Sequence, residues 1–254
     1  MPRLAVIGHP VAHSRSPAMQ NAALRALPAE GFAGVNVTVP HKTAAFALAD
    51  ASSEGAQRIG AANTLVFEAG QVQAHNTDAG GLIASLPRSP RGARTLVLGA
   101  GGAARAAAWA LRAEGAAVDI WNRTEARAQQ IHLELGGPDQ AREAVDIEVR
   151  DLRAVVEFDQ SDYELIVNTT AVGLHGEDPF VELPLRRDGF GPGAVVVDMV
   201  YGEGPSTLLR AAAAAGATAV DGIEILVQQG ALSLRIWTGL EPPLDVMRAA
   251  AHGI

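Results

Sequence analysis

The fold is decided by the stretch Leu96-Val97-Leu98-Gly99-Ala100-Gly101-Gly102-Ala103-Ala104-Arg105. Its apolar start reads as a buried strand, its glycines as a tight turn, and its alanines as the first turn of a helix. The dinucleotide pattern G-x-G-x-x-G/A falls on Gly99, Gly101 and Ala104. The first glycine permits the turn, the second lets backbone approach a pyrophosphate, and the small third residue lets helix pack on strand. The helix N-terminus then faces the phosphate charge. Alone this match is weak, but strand before and helix after supply the context it needs. Gly99, Ala100, Gly101, Gly102 and Ala103 are therefore expected to bind a cofactor.

Downstream, the run Val118–Trp121 reads as the next strand, ending at Asn122. An NAD enzyme carries Asp or Glu near that point for the ribose hydroxyls. Asp119 lies inside the strand and is poorly placed for this. Arg123 and Arg127 flank the start of the next helix instead, and guanidinium groups suit a 2′-phosphate. NADP is thus favoured over NAD; the simpler reading is two solvated surface arginines.

Strands alternate with helices along the rest of the chain. Leu4–Gly8, Val35–Val39, Leu165–Val167, Ala194–Val197 and Thr218–Val220 read as strands, Thr64–Phe67 and Val72–His75 as a hairpin. Residues 41–50, 52–58, 102–114 and 124–134 read as helices, and Ser16-Pro17 and Thr77-Asp78 as helix starts. Continuous apolar strands alternating with helices imply a mainly parallel sheet covered on both faces. Pro87–Gly92, rich in Pro, Arg, Ser and Gly, reads as a linker. The expectation is an α/β protein of two domains: an open, mainly parallel α/β substrate domain and a Rossmann-type dinucleotide-binding domain.

Composition narrows the function. In 254 residues, 48% are apolar and the net charge is −8, so nothing suggests a nucleic-acid or anionic-membrane partner. The absence of cysteine excludes disulfides, thiolate metal sites and a cysteine nucleophile. No metal is called for, and no targeting or membrane segment is evident, so a soluble cytoplasmic protein is expected. Of the twenty basic residues, nineteen are Arg and one is Lys, at Lys42.

The first domain has no phosphate loop but gathers polar residues at strand ends: Ser14 and Ser16; Asn36, Thr38 and Lys42; Asn63-Thr64; Asn76-Thr77-Asp78. Ligands of open α/β sheets bind beyond the carboxyl ends of strands. Hydroxyls, amides, one amine and one carboxylate there suit a small polyhydroxylated substrate. Individually, Ser16 and Asp78 also read as helix caps and Asn63 as a turn residue. Lys42 and Asp78 together form a candidate proton-shuttling pair, a task an arginine cannot take over.

At this point the chain resembles the shikimate dehydrogenase family over nearly its whole length. The resemblance lies in His13-Ser14-Arg15-Ser16-Pro17, Asn36-Val37-Thr38-Val39-Pro40-His41-Lys42, Gly60-Ala61-Ala62-Asn63-Thr64, Asn76-Thr77-Asp78, the glycine turn, Asn122-Arg123-Thr124, Asp198-Met199-Val200-Tyr201, and the late Gly222…Gln229 helix. It implies reversible NADPH-dependent reduction of 3-dehydroshikimate to shikimate, in aromatic amino acid and chorismate biosynthesis. It implies that Ser14 and Ser16 bind the substrate carboxylate, and Thr38, Asn63, Tyr201 and Gln229 its hydroxyls or carboxylate. Lys42 and Asp78 become the acid–base pair. Asn122, Arg123, Thr124 and Arg127 join the cofactor set, with Thr170, Met199 and Gly222 on the nicotinamide side. It also implies a discontinuous substrate domain, 1–86 and 223–254, around an NADP-binding domain, 87–222, and is compatible with a homodimer.

Two departures stand out. Ser16 to Val35 leaves room for one helix and a loop, so one strand–helix unit of the family pattern is inferred to be absent, which would leave a new sheet edge open. Gly202-Glu203-Gly204 alters the loop after Tyr201. The alternatives are a quinate or NAD-using relative, a two-domain dehydrogenase of the methylene-tetrahydrofolate type, and an inactive NADP-binding protein impaired by the missing unit.

Overall fold

The computed structural model describes residues 2–7, 31–135, 147–149 and 159–253. The chain divides into two compact units, Met1–Ser85 with Ile223–Ile254, and Leu86–Gly222.

The first unit contains strands β1 (Pro2–Ile7), β2 (Gly31–Val37), β3 (Ala51–Ser52), β4 (Thr64–Glu68) and β5 (Gln71–His75), and helices α1 (Lys42–Leu48), α2 (Glu54–Ile59) and α3 (Asp78–Ser85). The strand order is β1-β2-β4-β5-β3. β1 is parallel to β2 and β5 to β3, while β4 is antiparallel to both of its neighbours. β4 alone therefore runs against the others, and the sheet is mainly parallel as expected. The reversal is the predicted hairpin. Its two-residue turn puts Ala69 at φ 51° and Gly70 at φ 79°, the doubly left-handed geometry that matches strand twist. Val35, Val37, Ala45, Ala62, Leu65 and Ala74 form a core on this sheet.

Residues 52–58 do not form the single helix expected. Ala51–Ser52 pairs beside β5, and the helix begins only at Glu54, behind a Ser53 hydroxyl that accepts from the Ala56 amide at 3.3 Å. A strand of two residues is too short to show a period of two. The segment 8–30, where the missing unit is inferred and where Ser14, Ser16 and the helix they were expected to open belong, lies outside the described residues. Among the described strands, β1 lies at one edge of its sheet and β3 at the other.

The second unit contains β6 (Arg94–Leu98), α4 (Gly102–Ala113), β7 (Ala117–Trp121), α5 (Glu125–Leu135), β8 (Ile147–Val149), β9 (Leu165–Asn168), α6 (Pro179–Glu182), β10 (Val195–Asp198), α7 (Thr207–Ala214) and β11 (Thr218–Asp221). Every described pairing is parallel, in the order β11-β10-β9-β6-β7-β8. β8 and α6 had no sequence counterpart: each is very short. The chain winds outward from β6 through β7 to β8, and from β9 through β10 to β11. The winding reverses between β6 and β9, where doubly wound sheets bind their ligands. Leu96, Leu98, Ile166 and Val196 are buried with Tyr163, Phe190, Leu208 and Leu209 in one core.

Two further helices follow, α8 (Gly222–Thr238) and α9 (Leu244–His252). From Ile223 onward both belong to the first unit. The Trp237 indole donates to the Leu65 carbonyl at 2.9 Å. Gly34 makes room for this contact, because a Cβ there would collide with both groups. α9 is tied to α8 by Arg248, whose Nε and Nη2 reach the two Glu224 carboxylate oxygens, each at 2.9 Å.

Candidate active site

In the first unit the polar residues converge on Lys42 and Asp78. Lys42 opens α1 just after the cis Val39–Pro40 bond, and its carbonyl accepts from the Ala62 amide at 2.8 Å. Its ammonium donates to Asp78 Oδ2 at 2.7 Å, with the two side chains only 12% and 11% exposed. Removing two such charges from water costs much of what their attraction returns, so a pair in this setting is better explained by chemistry than by stability. Asp78 is not the helix cap that its position allowed. The Asn76 side-chain oxygen Oδ1 accepts from the Ala79 amide at 3.3 Å, which leaves the Asp78 carboxylate free to face Lys42.

Asn63 is the hub behind this pair. Its amide nitrogen lies 2.8 Å from Thr77 Oγ1, 3.0 Å from Asp78 Oδ1 and 3.0 Å from Gln229 Oε1. Its oxygen accepts from the Thr77 backbone amide at 2.7 Å. A backbone N–H can only donate, so this bond fixes which end of the Asn63 amide is oxygen and aims the nitrogen at Asp78. Each Asp78 oxygen therefore has a donor, Asn63 on one side and Lys42 on the other. Gln229 reaches the site because α3 and α8 touch: a Cβ on Gly81 would lie 2.7–2.9 Å from Gln229 Cβ, N and Cα.

Of the residues that brace this hub, Asn36, Thr64 and Thr77 are among the polar strand-end residues expected from the sequence, whereas Ser233 was missed. Asn36, Thr64, Thr77 and Ser233 are all buried, and their side chains bond to one another and to Asn63. The signal for Ser233 was its spacing of one helical turn from Gln229. Thr38, by contrast, follows β2 half-exposed, and among the described residues its side chain makes no hydrogen bond. Ser14 and Ser16 lie outside the described residues, and Tyr201 is in the other unit.

In the second unit the glycine turn joins β6 to α4. Gly99 has φ 115°, and a Cβ there would lie 2.6 Å from Thr169 Oγ1, so only glycine fits between the ends of β6 and β9. Beside Gly101, by contrast, a Cβ would meet no atom within 4 Å. Open space next to bare backbone is what a pyrophosphate requires. Gly101 caps α4 without a side-chain hydrogen bond, and Ala104 is fully buried against the sheet. Arg123 and Arg127 are exposed around the start of α5, and among the described residues neither guanidinium has an ion-pair partner. Asn122 donates to the Thr124 carbonyl at 2.8 Å, shaping that turn. Asp119 is occupied elsewhere, accepting from the Tyr163 hydroxyl at 2.6 Å. These residues fit a dinucleotide with a 2′-phosphate.

Thr170 and Met199 follow the ends of β9 and β10, and the two loops share an anchor. The buried Asp198 carboxylate accepts from Asn168 Nδ2 at 2.9 Å, the Val200 amide at 3.1 Å and Ser206 Oγ at 2.6 Å. Burial pushes its pKa upward against these three donors. Asn168 Oδ1 in turn accepts from the Thr170 amide and hydroxyl at 3.1 and 2.7 Å. Gly222 is required by close packing: a Cβ would lie 2.8 Å from the carbonyls of Asp198 and Met199.

Comparison with known proteins matches this arrangement at each part of the chain. The family "Shikimate dehydrogenase substrate binding domain" matches residues 22–65, "Shikimate / quinate 5-dehydrogenase" residues 83–167, and "Shikimate 5'-dehydrogenase C-terminal domain" residues 222–252. A shikimate dehydrogenase (NADP(+)) of Methanopyrus kandleri is 39% identical over 96% of this chain and 93% of its own. The chain belongs to the shikimate dehydrogenase family. A second member of that family, from Thermus thermophilus, is 41% identical over 99% of this chain and 98% of its own. The crystal structure of shikimate 5-dehydrogenase from Thermus thermophilus in complex with NADP(H) and shikimate superposes with a TM-score of 0.85, at 39% identity, over 100% of this chain and 99% of that one. Among the described residues no helix is long and apolar enough to cross a membrane.

Proposed function

We propose that this chain catalyses the reversible reduction of 3-dehydroshikimate to shikimate with NADPH. The observation that carries this reading is the shielded Lys42–Asp78 pair, 2.7 Å apart and braced by Asn63, in a chain about 40% identical to shikimate dehydrogenases (NADP(+)). When bound, the reduced nicotinamide supplies a hydride to the carbonyl carbon. The carbonyl oxygen must then gain a proton, and the reverse reaction must remove it. Lys42 holds protons on Nζ beyond the one shared with Asp78, so its ammonium is the donor at that oxygen. Asp78, held by Asn63 on Oδ1, keeps the amine in place.

Asn63, Gln229, Thr38 and Tyr201 bind the hydroxyls or carboxylate of the substrate in this reading, and Ser14 and Ser16 its carboxylate. The backbone from Gly99 to Ala103 holds the pyrophosphate, with Asn122, Arg123, Thr124 and Arg127 at the 2′-phosphate. Thr170, Met199 and Gly222 frame the nicotinamide. The unit 1–85 with 223–254 is thereby the substrate domain and 86–222 the NADP domain. A cytoplasmic location is part of the same reading, since a chain without cysteine suits a reducing compartment. A homodimer belongs to the same reading, and light scattering tests it.

The test is a matrix of shikimate or quinate with NADP or NAD, following absorbance of the reduced nicotinamide. Shikimate with NADP is expected to give the highest kcat/KM. A preference for quinate or for NAD overturns the corresponding half of the assignment.

A further inference from the structure

Ser233 lies outside the motif residues that carry the resemblance in the sequence, yet its fully buried hydroxyl sits at the centre of the polar network. Its Oγ lies 2.7 Å from Thr64 Oγ1, 3.0 Å from Thr77 Oγ1 and 3.1 Å from Asn36 Nδ2, and 3.0 Å from the carbonyl of Gln229 on its own helix. Thr64 and Thr77 each reach the Asn63 side-chain oxygen at 3.2 Å. The hydroxyl thus ties α8 to β2, to β4 and to the start of α3. Those elements carry Gln229, Asn63 and Asp78.

We propose that Ser233 is a positioning residue for the substrate site: its hydroxyl holds the Thr64 and Thr77 hydroxyls against the Asn63 oxygen and ties this network to the backbone of Gln229. Thr64, Thr77 and Ser233 bring three hydroxyl protons to a cluster whose fixed acceptors are the Asn63 side-chain oxygen, the Gln229 backbone carbonyl and, 3.5 Å from Thr77 Oγ1, Gln229 Oε1. Asn36 Nδ2, a fixed donor, points at both Thr64 and Ser233. Ser233 is the member that both receives from Asn36 and reaches the Gln229 backbone. Deleting it leaves Thr64 and Thr77 free to turn, so the Asn63 oxygen keeps its bond from the Thr77 backbone amide but loses its two defined hydroxyl neighbours. Asn63 then holds Asp78 and Gln229 less firmly, although no atom that touches substrate has been removed. In buried networks of this kind the orientation of each group depends on the others.

The proposal rests on the substrate assignment above, and the test separates the two. In Ser233→Ala, the shikimate KM is expected to rise roughly five- to twentyfold, the effect of one buried hydrogen bond, with the NADP KM within about twofold of wild type. Thr64→Val combined with Ser233→Ala is expected to be no worse than the more damaging single change, as for two members of one unit. Thermal melting of each variant verifies that it folds. Constants for shikimate and NADP that move together, or neither moving beyond about twofold, would overturn the positioning role. A readout independent of turnover is the side-chain amide NMR signals of Asn63 and Gln229. They are expected to shift or double in Ser233→Ala, and unchanged signals would also overturn the proposal. If the wild-type protein fails to oxidise shikimate, the substrate assignment fails and the amide signals alone decide the role of Ser233.

Discussion

The single lysine sits where an arginine would fail. A guanidinium keeps its proton at any pH a protein survives, whereas an ammonium can give one up. Lys42→Arg is therefore expected to fold and to bind NADP while kcat falls by about 100- to 10,000-fold; steady-state rates beside a cofactor titration check this. Activity in Lys42→Arg close to wild type would remove Lys42 as the proton donor. Arg123→Ala is expected to raise the NADP KM by roughly tenfold, because a guanidinium–phosphate contact is charge-assisted, and to leave the NAD KM unchanged. Equal losses with both cofactors would show that Arg123 does not read the 2′-phosphate. At this scale much of the site was legible in the sequence. Lys42, Asp78, Asn63 and Gln229 do meet. Ser233 was harder to see, because a buried serine looks in sequence like a cap, a turn residue or an ordinary helix position.

Helix packing places the side chains. α3 and α8 approach until Gly81 lies against the backbone of Gln229, so Gly81→Ala must push the helices apart. A loss of about 1–3 kcal/mol is expected for such overpacking, with a higher shikimate KM because Gln229 moves; melting and kinetics measure both, and an unaffected KM would mean that Gln229 does not depend on this contact. The α8–α9 pair adds a pH-dependent element. Hydrogen bonding from Arg248 lowers the pKa of Glu224. The folded protein thus binds this proton less readily than the unfolded chain. The resulting stability is present above the ordinary carboxylate pKa of ~4.3 and disappears as pH falls below it. Both side chains are partly exposed, so the gain is at most about 1 kcal/mol. Melting temperatures of wild type and Glu224→Gln should differ at pH 7 and converge as the pH falls through the lowered pKa of the folded state; a constant difference would contradict the linkage. Elements long enough to show a period, such as α4 and the hairpin, were readable in the sequence, whereas β3, β8 and α6 have four residues or fewer.

At the scale of the whole molecule, the order of motifs carries the function. The glycine turn alone indicates a dinucleotide, and the polar strand ends alone indicate a small hydroxylated ligand. Only their succession along one chain, matched by relatives over nearly its full length, joins them into one reaction. What sequence could not supply is which hydrogen bond wins where several are open: Asp78 as cap or as partner, Asp119 on ribose or on Tyr163. Each was decided by packing, through Asn76 and Tyr163 respectively. The most direct test of the central claim compares wild type with Lys42→Ala and Asp78→Asn, measuring NADP binding and shikimate oxidation on the same preparations. The account predicts that all three bind NADP alike and that only the wild type reduces it at an appreciable rate. Undiminished turnover in either variant, or a wild type that binds NADP without oxidising shikimate, would contradict it.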